Sequence, residues 1–154
     1  MHPNGELIQN FYRAFAAKDP GPMAAAYSDR ARFTDPVFQD LSADEARGMW
    51  RMLTGRAKDL EVTFRDVTAD DRRGTAHWEA TYTFLATGRK VHNIIDAEFD
   101  FDGGKIVKHI DRFDFWRWSR MALGPSGVLL GWTPFLQKKV QATARKQLDK
   151  FLAG

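Results

Sequence analysis

The reading turns on GRKVHNIIDAEFDFDGGKIVKHIDRFDFW, residues 88–116. Apolar and polar residues alternate through it. Val91, Asn93, Ile95, Ala97, Phe99 and Phe101 fall on one face of a strand; His92, Asp96, Glu98 and Asp100 fall on the other. Asp102-Gly103-Gly104 makes a turn, and Ile106 to Phe115 returns as the last strand. Working outward, Thr75 to Ala86 puts Trp78, Ala80, Tyr82 and Phe84 on one face and ends in the turn Thr87-Gly88-Arg89. Before it, Leu60 to Val67 sets Leu60, Val62 and Phe64 against Glu61, Thr63 and Arg65. Long alternating strands joined by tight turns form an antiparallel meander with one buried face and one wet face.

Helices come first in the chain. Asn4 is placed to cap a helix whose apolar stripe is Leu7, Ile8, Phe11, Tyr12 and Phe15. Asp19-Pro20-Gly21-Pro22 breaks it, and Met23 to Tyr27 is a second, short helix. A strand fragment, Ala31 to Thr34, then runs into the corner Asp35-Pro36. Ser42 to Glu45 spells a capping box for a third helix, with Ala46, Met49, Trp50 and Leu53 on one face and a stop at Gly55. At the other end, ALGPSGVLLGW (residues 122–132) reads as a Gly-rich apolar connector. Pro134 starts a last helix with Leu136, Val140, Ala144, Leu148 and Phe151 on one side and lysines on the other. The expected class is α+β: a strongly bent antiparallel sheet wrapped as a cone over three N-terminal helices, plus an extra C-terminal helix. Residues 1–118 form the domain; residues 119–154 form the connector and a basic amphipathic helix.

Composition narrows the function classes. The 154 residues are 44% apolar, 28% charged and 13% aromatic, with 12 Phe, 5 Trp and no Cys. That balance fits one globular domain, and the missing thiols exclude disulfides and cysteine chemistry. The start, MHPNGELIQN, lacks the apolar core of a secretion signal, so a cytoplasmic location is expected. The net charge of +3 is uneven: residues from Trp116 onward carry +6 and the rest −3. The body therefore offers no basic, aromatic-laced footprint for nucleic acid. The last helix could lie on an acidic membrane surface, but packing its stripe against the domain is the favoured reading, since the helix needs that burial to form.

Few residues can carry chemistry. Asp35, in YSDRARFTDPVFQD (residues 27–40), stands where a strand stops, flanked by Phe33, Val37 and Phe38. It is either a base in an apolar pocket or a cap for its own turn. His109 and Asp111 are two apart on the last strand and share a face with Phe113, which suits an acid–base pair or a surface ion-pair edge. Asn93, on the apolar face, either orients a ligand or ties down the sheet. Phe15, Trp50, Trp78 and Tyr82 line a pocket or fill a core. The four histidines show no ligand spacing, and there is no phosphate loop or nucleophile elbow. No metal and no cofactor is expected.

The segments YSDRARFTDPVF and GRKVHNIIDAEFDFDGGKIVKHIDRFDFW resemble the nuclear transport factor 2-like superfamily, with its ketosteroid isomerases and SnoaL-like polyketide cyclases. The likeness covers roughly residues 5–118. It implies a cone whose pocket opens between helices and concave sheet, with Phe11, Tyr12, Phe33 and Phe99 among its lining. Asp35 matches the Asp-Pro corner that holds the isomerases' general base. Asp96 falls by count at their second acid, although the alternation turns it to solvent with Glu98 and Asp100. Phe11 falls at the tyrosine of their first helix, with Tyr12 next to it. The implied activity is cofactor-independent acid–base chemistry of isomerase, cyclase or hydratase type on a small, mostly apolar, polyketide-like or steroid-like molecule. The alternative is a non-catalytic ligand-binding or interaction module. A homodimer through the outer sheet face is implied by the resemblance alone.

Overall fold

The computed structural model describes residues 1–154. In chain order it has α1 (Pro3–Ala16), α2 (Pro20–Ala25), β1 (Tyr27–Thr34), β2 (Leu41–Ser42), α3 (Ala43–Arg56), β3 (Glu61–Ala69), β4 (Arg73–Phe84), β5 (Arg89–Asp102), β6 (Lys105–Arg112), α4 (Phe115–Leu123), α5 (Pro125–Leu130) and α6 (Pro134–Leu152). The strands form one curved sheet ordered β2-β1-β6-β5-β4-β3. The expected antiparallel meander is its four strands β3 to β6. β1 then adds to the free edge of β6 in parallel, pairing Phe33 with His109.

Local chemistry explains most boundaries. Pro3 opens α1, and the His2 ring caps it by accepting from the Asn4 N–H at 3.0 Å. Asn4 is therefore not the cap; it is buried, and its amide donates to the carbonyls of Asp70 and Asp71. The capping box of α3 is present in full: Glu45 N donates to Ser42 Oγ at 3.2 Å, and Ser42 N to Glu45 Oε1 at 2.9 Å. Gly103 and Gly104 take positive φ angles, 59° and 78°, so the turn between β5 and β6 needs residues without a Cβ penalty.

The alternation of β5 holds over its whole length, with Val91, Asn93, Ile95, Ala97, Phe99 and Phe101 buried. Across the sheet, Trp78 pairs with Ile95, Ala80 with Asn93, Tyr82 with Val91, Ala97 with Asp111, and Phe99 with His109. The concave face is thereby lined up strand by strand. α1 and α3 lie on it and close one contiguous core of 28 residues. A separate cluster of Val91, Phe115, Trp118 and Ala122 lies under α4 at the open end. Val37, Tyr82 and Phe113 touch both clusters, so they mark the seam between them.

Residues 122–132 are not a plain connector. They finish α4 and form α5, and their glycines are packing residues. A Cβ on Gly127 would come within 1.9 Å of the Ser119 carbonyl oxygen, and one on Gly131 within 1.9 Å of Ser119 Oγ. Glycine is what lets α5 lie directly on α4.

α6 packs on α3. Leu148 is fully buried in the main core, and Leu136 is buried nearby. Arg145 pairs with Glu45 of the α3 capping box. Gln137 and Gln141, one helical turn apart, each donate to the Pro36 carbonyl at 3.0 Å. The C-terminal helix thus grips the Asp-Pro corner. No helix is long and apolar enough to cross a membrane.

The docking of α6 has a stability signature. Leu148→Ala is expected to cost about 2–5 kcal/mol, the range for a fully buried leucine. Phe151→Ala, at a position 37% exposed, is expected to stay within about 0.5 kcal/mol. Urea unfolding of the two variants measures the difference.

Candidate functional site

His109 lies in the centre of the aromatic core with 0% of its surface accessible. Its ring is 4.3 Å from the Phe99 ring and 4.9 Å from that of Phe33, centroid to centroid. Both ring nitrogens are matched: Nδ1 to Tyr27 Oη at 2.7 Å, and Nε2 to Asp111 Oδ1 at 3.0 Å. Trp50 Nε1 donates to the same Tyr27 oxygen at 2.9 Å. An indole N–H can only donate. Tyr27 accepts from Trp50, and with Asp111 ionised the Asp111 oxygen can only accept, so a neutral His109 carries its proton on Nε2 and takes the Tyr27 proton at Nδ1. The chain reads in one direction: Trp50 to Tyr27 to His109 to Asp111.

It ends on a carboxylate with two unlike oxygens. Asp111 Oδ1 accepts from His109 Nε2 and, at 3.3 Å, from Trp78 Nε1. Asp111 Oδ2 has no protein partner, yet it is not among the buried unpaired atoms, so it faces accessible space. The residue is only 3% exposed overall, so this oxygen is the part of its carboxylate nearest to solvent. β6 supplies both His109 and Asp111, and the parallel pairing of β1 brings Tyr27 to them.

Asp35 stands at the same seam, on the corner after β1. Its Oδ1 accepts from Val37 N at 2.7 Å and Phe38 N at 2.6 Å. Asp35 therefore caps its own turn, one of the two alternatives left open by the sequence. The residue is half-buried, and Oδ2 makes no hydrogen bond. Burial pushes its pKa up to about 7, the two backbone N–H donors oppose the rise, and the charge of Asp111 adds to it. Tyr82 is raised too, by burial first, eased by the Trp118 hydrogen bond and increased by the charge of Asp35. Its oxygen accepts from Trp118 Nε1 at 2.9 Å, which leaves the phenol proton free to donate. The Asn93 amide is 8% exposed and makes no hydrogen bond within the protein.

The remaining candidates go elsewhere. Phe11, Phe15, Phe33, Trp50 and Phe99 have at most 3% of their surface accessible, so they fill the deep half of the cone. Phe11, Phe15 and Phe33 each pack edge-on against the Trp50 ring, with centroids 5.7, 5.1 and 5.6 Å away. Tyr12 is also enclosed, between Phe64, Trp78 and Phe99. Its hydroxyl is the one buried side-chain polar atom with no partner, and its pKa is raised well above the usual phenol range by burial and then by the charges of Asp111 and Tyr27. Phe113, Tyr82 and Asn93 stay at the seam, with Trp78 beside Asp111. Asp96 points outward, where His77 Nδ1 meets it at 3.0 Å. No three imidazoles or carboxylates converge as metal ligands would. Sequence reasoning missed Tyr27, which it placed at a helix end. No local signal marks it, because its partner is 82 residues away.

Comparison with known proteins comes after this geometry. Residues 8–109 match the family described as the SnoaL-like domain. No curated protein matches the chain. Among solved structures, an NTF2-like protein of unknown function from Burkholderia pseudomallei superposes with a TM-score of 0.69 at 19% identity, over 79% of this chain and 98% of that one. A candidate SnoaL-like polyketide cyclase from a Jannaschia species gives 0.68 at 15% identity, over 80% and 93%. An LEH-like epoxide hydrolase from M. tuberculosis gives 0.66 at 19% identity, over 82% and 92%. At these identities the likeness is one of fold.

The raised Asp35 has a measurable consequence. Its folded value, about 7, lies above the unfolded carboxylate value, so its contribution is complete in acid and is lost as pH rises towards and through about 7. Asp35→Asn keeps the turn acceptor and removes the titration. Relative to the parent chain, the variant is expected to gain stability as pH goes from about 4 to about 8, by up to roughly 4 kcal/mol. Paired urea titrations at several pH values test this; a constant difference would contradict it.

Proposed function

The chain belongs to the SnoaL-like domain family, and from that premise we propose that it is an acid–base enzyme, working without a cofactor on a small, mostly apolar molecule held at the seam. The observation that carries this is Asp111: one oxygen is fixed by two buried donors and the other is left free. A carboxylate held in this way is oriented as a base. Asp35, which titrates near 7, is the complementary acid. The Tyr82 hydroxyl and the Asn93 amide are placed to hydrogen-bond an oxygen that gains negative charge. His109 touches no ligand; it is a positioning residue for Asp111. Isomerisation, cyclisation and hydration all need this proton traffic.

A second reading has its own support. The deep half of the cone is filled, and Phe11 stands where the resemblance calls for a tyrosine. The alternative is a ligand-binding module that uses the seam without turnover.

Proton exchange separates the two. Incubating the protein in heavy water with a panel of aryl ketones, followed by NMR, reads deuterium uptake at carbon next to the carbonyl. The enzyme reading expects uptake that falls about 100-fold or more in Asp111→Asn and declines above about pH 7 as Asp35 ionises. A ketone that binds, by its own line broadening, with no uptake at any pH would favour the module. Tyr27→Phe is expected to lower the rate while leaving binding unchanged, since it removes the partner of His109 and Trp50, which lie behind Asp111 in the core.

A further inference from the structure

Outside the seam, one surface is unusual. The elbow from α5 into α6 leaves Val128 50% exposed and Leu129, Trp132 and Phe135 each 70% exposed. Burial of the α6 stripe does not account for them, because Leu136 and Leu148 on that stripe already face the protein. Beside the elbow, Arg89, Lys90, Arg117 and Arg120 line a surface pocket of about 610 Å³. Arg89 and Arg120 also line the neighbouring hollow with Val128 and Leu129, so cations and apolar side chains share one face.

The arginines are held but not neutralised. Arg89 Nε donates to the Met121 carbonyl, Arg117 to the His92 carbonyl, and the Arg120 guanidinium sits 4.4 Å from the Trp116 ring. None of the three is in an ion pair, whereas Lys90 pairs with Asp59. Exposed Lys138 and Lys139 continue the positive rim next to Phe135.

We propose that this face docks on an anionic lipid bilayer, with Leu129, Trp132 and Phe135 in the headgroup–acyl boundary and Arg89, Arg117 and Arg120 against lipid phosphates. Aromatic and aliphatic side chains with a rim of free cations are what an interfacial anchor needs. Charge is the argument for lipid over a second copy of the chain. A symmetric contact would set three unpaired arginines against the same three. α4 roofs the open end of the cone, where it packs on Val91 and Phe113, so docking would present that end to the membrane, from which an apolar molecule could be drawn.

Flotation of the full chain with vesicles tests this, using phosphatidylcholine alone and phosphatidylcholine with about 30% phosphatidylglycerol, a composition that gives the negative surface required. Binding is expected to the second only, and to weaken as salt is raised. Arg117→Gln with Arg120→Gln is expected to lower affinity about 30-fold, from roughly 1 kcal/mol per cation. Leu129→Ser with Trp132→Ser, at exposed positions, is expected to abolish binding with the circular dichroism spectrum unchanged. Brominated lipid is expected to quench the parent chain more than Trp132→Phe. The proposal fails if no vesicle floats the protein, or if the serine variant floats equally well. It fails too if the parent is a dimer that the serine variant dissociates, since the face would then belong to a second copy.

Discussion

An imidazole with no accessible surface must match both ring nitrogens inside the protein or lose about 1–3 kcal/mol for each one left unpaired. His109 meets that demand with Tyr27 on one side and Asp111 on the other. Two indole N–H groups, which cannot accept, sit at either end and give the chain its direction. The rings around it follow from this. Phe11, Phe33, Trp50 and Phe99 all contact the imidazole, so the polar chain and the aromatic core are one construction. The proposed site rests on the far end of that chain, where the second oxygen of Asp111 makes no hydrogen bond within the protein.

The cone is consequently divided. Its deep half is lined by buried aromatic rings, and beyond it is a seam between two hydrophobic clusters, with Asp35, Asn93 and Asp111 at the junction. The family match ends at His109, and much that shapes the seam lies beyond. Trp118 of α4 holds the Tyr82 hydroxyl. Gln137 and Gln141 of α6 hold the Pro36 carbonyl, one residue from Asp35. The C-terminal extension therefore helps to shape the seam. Leu148, sunk in the core, anchors it there.

Local chemistry made much of the fold legible. The period-two pattern of Val91 to Phe101 named every buried residue of β5 and turned Asp96 outward, as it stands. The capping box at Ser42 and the turn at Gly103-Gly104 were readable because each is complete within four residues. Asp35 was readable as a corner acid, but only with both roles open. Reading stopped where the signal was compositional. Gly127 and Gly131 look like linker residues, yet they are the contact points of two helices, and nothing in their neighbours' identity says so. Asn4 looked like a cap because the competing cap, a histidine ring accepting a backbone N–H, is uncommon.

By itself the sequence determined the alternating strands, their turns, the starts of α3 and α6 and the set of residues able to move protons. Those features depend on backbone geometry and on neighbours a few positions apart. Only the tertiary structure decided which proton carriers meet. Tyr27 reaches His109 through a parallel pairing that no local pattern encodes, and Trp78 reaches Asp111 across the intervening strand β5. It also settled which aromatics are filler and which border the seam, since burial depends on what distant parts of the chain place opposite each ring.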